Sequence, residues 1–259
     1  MEIQRRDRSS VEILKNKHGF ALILMLALMP LIMSAMIAYL LLNTSLQTWM
    51  NSLHLCRTQL LETQNQVGRD LDELLQTNNL VKTVRTQIVT TQLAIVAATA
   101  AYQLYAVPPL QKALLGFQQE ERAIGALQKG LIVSANAKMK LGSLNAQRKI
   151  QAQYRDLAPK MIEFVSLKLV SSRYATKRLA VKADRPSAPA AVYELENNFK
   201  QRQSLSVFWT TEIKIIDSQW SKNWFRFSSQ KSESCSSTLE KKDEQWKSIL
   251  NEDKSLLKY

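Results

Sequence analysis

The sequence predicts a mainly α-helical protein with a small C-terminal α+β part. An N-terminal transmembrane helix continues into a long amphipathic helix and a helical bundle. Three observations predict it. Residues 20–42 run without a charge, and apolar residues then recur at every seventh position from Leu46 to Ile95. Four of the five tryptophans fall after residue 208, where alternating and β-branched runs replace the helical pattern.

Residues 1–19 form a basic head carrying Arg5, Arg6, Arg8, Lys15 and Lys17. The 23 residues that follow, 20–42, make a helix of about 35 Å, enough to cross the hydrocarbon core of a bilayer. A cleaved secretory signal has a shorter apolar core, so the segment reads as a retained anchor. Lys and Arg before it favour a cytoplasmic N-terminus, with the rest of the chain on the far side of an inner membrane. Trp49 suits the far interface. Pro30 removes one backbone donor inside the span and is expected to loosen or kink it.

Residues 43–181 read as a helical stalk and bundle. Leu46, Leu53, Leu60, Val67, Leu74, Val81, Ile88 and Ile95 keep nearly one face of a helix. A coiled-coil seam needs a second apolar position per heptad; Trp49 and Cys56 begin one, and Thr63, Asp70 and Thr77 interrupt it. The stripe therefore suits packing against neighbouring helices. Gly68 and residues 77–79 are expected weak points. Between Arg85 and Lys112 there is no charge. Residues 88–107 have the length of a second span, but their Thr, Gln and Ala content favours a helix buried in a bundle. Helix is expected again over 112–132 and 143–170, with Pro159 starting or kinking one.

Residues 182–192 carry Pro186 and Pro189 among small residues and read as a linker. Residues 193–259 form the small α+β domain. Runs 204–209, 212–216 and 224–227 suggest an antiparallel sheet, and the Ser-rich 230–237 a loop. Ser237 with Glu240 matches a capping box opening a last helix over 238–257.

No catalytic constellation, cofactor-binding loop or paired-Cys zinc spacing is present, so no enzyme, cofactor or small-molecule substrate is inferred. His54 and Cys56 stand two apart, which points them to different helix faces and assigns no metal. Residues 111–259 hold 26 Lys and Arg against 15 Asp and Glu. Such an excess suits an anionic surface, but no nucleic-acid motif accompanies it. Phe208, Trp209, Trp220, Trp224, Phe225 and Phe227 could stack on sugars, though core packing explains them more simply. Cys56 and Cys235 both follow the span and could pair if both face an oxidising compartment; unrelated thiols are the alternative.

The junction at the anchor is more specific. Lys17-His18-Gly19, then Phe20 and Ala21 opening an apolar helix, with Pro30 eleven places after the glycine, resembles TadE/TadG-like minor pseudopilins of the tight-adherence (Flp-type) pilus. The resemblance covers residues 15–50. It implies a leader processed between Gly19 and Phe20, partnership with other pilin-like or pilus and secretion-assembly membrane proteins, and assembly by helix packing. Leu24 stands where prepilins usually carry a glutamate, a departure that bears on processing. Two other readings are a two-span scaffold or regulator with a basic cytoplasmic C-terminal part, and an anchored envelope carbohydrate binder.

Overall fold

In a computed structural model of the chain, the described residues are 7–157, 165–215, 228–242 and 245–250. They divide into two compact units, Met1–Met50 and Asn51–Tyr259. The first helix, α1, is Asp7–Ala100.

Within the first unit α1 passes through Pro30 without ending. Its described apolar side chains, among them Leu24, Met29, Ile32 and Tyr39, are exposed. The Ser34 hydroxyl donates to the Leu31 carbonyl at 2.8 Å, and Thr44 and Thr48 donate to the carbonyls of Leu40 and Thr44. Folding hydroxyls back onto the helix spares them from needing water. Among the described residues α1 is the one helix long and apolar enough to cross a membrane.

In the second unit α1 ends at Ala100. Gln103 N–H donates to Ala98 O at 2.9 Å and Tyr102 N–H to Thr99 O at 3.2 Å, the paired bonds of a Schellman cap. A 3-10 turn, Leu104–Ala106, leads into α2, Val107–Leu157. Residues 88–107 are therefore the end of one helix and a reversal, not a continuous span. The 13 helical residues there reach only about 20 Å. The expected bundle is a two-helix hairpin. As α1 partners descend, their α2 partners ascend: Thr77 with Gln128 (2.8 Å), Asp70 with Lys138 (2.7 Å), Gln59 with Lys149 (2.5 Å) and Ser52 with Gln153 (3.0 Å).

The seven-residue stripe forms the hairpin's core. Leu60, Val67, Leu74 and Val81 are buried, against Ala135, Met139, Ala146 and Ile150 for most of that length. Thr63, Asp70 and Thr77, which interrupt the apolar seam, are buried too. Asp70 and Thr77 hydrogen-bond α2, and Thr63 lies where a side chain at Gly142 would stand. The expected weak points do not break α1. Gly68 lies beneath Trp246, and Asn78 is used to bond a distant strand.

Helix was expected up to residue 170 and beyond. Instead β1, Val165–Thr176, follows α2, because Leu167 and Leu169 face the core while Lys168 and Val170 face outward, a period of two. Pro159 lies outside the described residues. Two short strands, β2 (Val181–Ala183) and β3 (Tyr193–Leu195), pair with each other. A single helical turn, α3 (Phe199–Arg202), precedes β4 (Leu205–Ile215), β5 (Ser228–Lys242) and β6 (Gln245–Leu250). The main sheet is antiparallel with order β1-β4-β5-β6.

Three expectations are corrected here. The Ser-rich 230–237 is strand, pairing with β4 throughout; Thr210 and Ser232 hydroxyls meet at 3.1 Å across it. The expected helix over 238–257 is strand in its described part, so Ser237 and Glu240 cap nothing. Ser237, Cys235 and Leu239 are instead the inward residues of β5. Finally, 182–192 is no linker between domains, since β1 before it and β4–β6 after it share one sheet. The class stands: long helices with a small C-terminal β-sheet.

Candidate functional site

The chain's own chemistry is spent on joining hairpin to sheet. Gln128 on α2 is 1% exposed; its Nε2 donates to Ala191 O at 2.8 Å while its Oε1 accepts from Ala191 N–H at 3.0 Å. Asn78 on α1 treats Tyr193 identically, with both bonds 2.8 Å. Asn136 accepts from Leu179 N–H at 2.9 Å. A carboxamide offers donor and acceptor side by side, so it completes a backbone as a neighbouring strand would. These three side chains hold 179–193 on the hairpin, which is why Pro186 and Pro189 there do not make a free linker.

Arg85 fastens the same segment by charge. Its guanidinium reaches Asp184 at 2.6 Å and the Ala190 carbonyl at 2.7 Å. Bonding to Arg85 holds the Asp184 carboxyl down at about 2, helped by the Val192 and Arg185 N–H groups. Both outer strands of the sheet are also tied to helices. Gln147 donates to Ser172 O on β1 at 2.8 Å, and Asn65 accepts from Ser248 N–H on β6 at 3.3 Å.

A disulfide joins Cys56 on α1 to Cys235 on β5, with Cα atoms 6.4 Å apart. His54 is exposed beside it. Among the described residues no group of three His, Cys, Asp or Glu could hold a metal. A cleft of about 440 Å³ lies by Lys182, Asn198 and Arg202, but Arg202 is already paired with Glu196. Trp209 is buried in the core and Phe208 lies under the Arg173 guanidinium at 5.2 Å. Trp220, Trp224, Phe225 and Phe227 lie outside the described residues. Of the leader and anchor positions, Gly19, Phe20, Ala21, Leu24 and Pro30 are all within α1, and Leu24 and Pro30 are exposed.

Among the described residues, one apolar face of α2 has nothing packed against it. On α2 the exposed residues Ala123, Leu127, Gly130, Val133, Ala137 and Leu141 recur every three or four positions. That spacing makes one uncharged stripe. Val133 is 68% exposed. The glycines mark the two faces of the helix. A Cβ at Gly125 would run into the Pro189 carbonyl and one at Gly142 into Thr63, whereas one at Gly116 or Gly130 would meet nothing within 4 Å. The stripe is thus shaped for close approach of another helix, and its chemistry is packing alone. The sequence reading did not identify this face; Gly130, three residues from both the outward Leu127 and the outward Val133, is the signal that finds it.

Fold and surface together define a helical-hairpin protein with a disulfide-stapled sheet and an apolar helix of spanning length. No protein-family model, curated protein or solved structure matches the chain.

Proposed function

We propose that this is a membrane-anchored envelope protein of the pilin-like, TadE/TadG-like kind. It contributes to assembling or anchoring a surface pilus or secretion apparatus through helix packing. The observation that carries the reading is the open stripe on α2, an uncharged helix face with none of the described residues packed against it. In support, the basic head and 20–42 suit an inner-membrane anchor with a cytoplasmic N-terminus. The Cys56–Cys235 bond suits residues beyond the anchor lying in an oxidising periplasm.

Cross-linking tests the assembly surface. Both native cysteines are bonded to each other, so Val133→Cys adds one reactive thiol to the full chain. Expected are cross-links to other envelope membrane proteins from Val133→Cys, and loss of assembly in Ala137→Glu with the disulfide and protein level intact. An Ala137→Glu chain that folds and assembles normally would remove the basis of the proposal. N-terminal sequencing tests the leader, where a start at Phe20 is the pilin-like outcome.

A further inference from the structure

The far end of the helical hairpin is a second apolar surface, with a different character. Between Arg85 and Lys112 neither arm carries a charge. Val96, Leu104 and the rings of Tyr102 and Tyr105 are exposed there, the tyrosines by 88% and 81%. Tyr102 has φ 59°, the left-handed cap position where glycine is the unstrained choice. A bulky exposed aromatic kept at a strained position points to use rather than packing.

We propose that this tip dips into the interfacial layer of a phospholipid bilayer. Its threonine hydroxyl and the backbone of its turn are bonded within the hairpin, which lipid demands and a protein partner does not. The hydroxyl of Thr99, one residue from the end of α1, donates to the Ile95 carbonyl four residues back on its own helix at 2.8 Å. The turn itself is closed by backbone bonds, and Pro108 and Pro109 bring no N–H to satisfy. Tyrosine suits the boundary, with an apolar ring and a phenol that reaches headgroups. The depth is shallow. Lys112 stands five residues into α2, about 8 Å along the axis, which sets it at phosphate level as the nearest charge. Gln103 at the apex also keeps entry to the headgroup and upper acyl region. This surface is separate from the stripe on α2 and does not rest on the assembly role.

The test uses full-length protein reconstituted into phosphatidylethanolamine and phosphatidylglycerol vesicles. Tyr105→Cys carries an environment-sensitive fluorophore, and Lys182→Cys is the labelled control. Nitroxide-labelled lipid is placed either in the same vesicles or in added protein-free ones. Quenching and a blue shift at Tyr105→Cys in either arm, absent at Lys182→Cys and lost on adding Leu104→Asp, is the expected result. The two arms say which membrane is touched. No quenching in either arm overturns the proposal. A blue shift without quenching, with Tyr105→Cys chains linking to one another, also overturns it and makes the occupant a second copy.

Discussion

At the scale of single residues, buried side-chain amides do what strand neighbours usually do. Gln128 satisfies both backbone groups of Ala191 and also donates to Thr77. Gln128→Ala leaves those groups buried without partners and opens a cavity, so a loss of roughly 2–4 kcal/mol is expected. Urea unfolding of the full chain in detergent, read by tryptophan fluorescence, measures it; a change below the error of the method would mean 188–193 is not held this way. Asp184 adds a pH dependence. Its folded value is about 2 against an ordinary 3.8. The contribution is therefore complete above pH 4 and is lost as pH falls from there through 2. Half-exposed and salt-screened, it is a modest effect. Arg85→Met should flatten the stability profile in that acid window while leaving its shape near neutrality unchanged.

At the scale of elements, the glycines of α2 give opposite forecasts from one substitution. Gly142→Ala forces Thr63 and the adjoining helix backbone apart and should destabilise by about 1–3 kcal/mol. Gly130→Ala adds a methyl to open space and removes a flexible residue from a helix interior, so the isolated protein should gain up to about 1 kcal/mol. Should both variants unfold at the same denaturant concentration, the assignment of inner and outer faces is wrong. The same contrast explains what was legible in the sequence. The anchor and the stripe from Leu53 to Val81 show because charge-free length and seven-residue spacing are local properties. The Gln128, Asn78 and Asn136 bonds join residues 43 to 115 positions apart, and nothing nearby in sequence marks them. Strand β1 was hidden because its Leu167-Lys-Leu169 alternation is brief and follows a long helical run. Strand β5 was hidden because its outward face is serine, a residue that reads as loop until cross-strand pairing satisfies it.

For the whole molecule, the Cys56–Cys235 bond bears on stability and supplies a test of compartment. It links positions 179 apart in sequence, tying α1 to β5 across nearly the entire second unit. Closing so long a loop in the unfolded chain is worth about 5 kcal/mol in the chain-entropy treatment, less where unfolded helices already restrict the chain. Replacing both cysteines, Cys56→Ser with Cys235→Ser, should therefore lower stability by about 2–5 kcal/mol. Leu60, Val67, Leu71 and Leu74 of the hairpin share one core with both cysteines and with Leu205, Val207 and Trp209 of the sheet, so helical circular dichroism and tryptophan fluorescence should both be lost at the same, lower urea concentration. The same pair reads topology in the cell. A periplasmic second unit keeps both sulfurs bonded, giving a faster band on non-reducing electrophoresis and no thiol labelling until a reductant is added. Quantitative labelling of Cys56 and Cys235 in freshly lysed cells without reductant would place this unit in a reducing compartment. The anchor's orientation would then be reversed, and the α2 stripe would be available only to cytoplasmic partners.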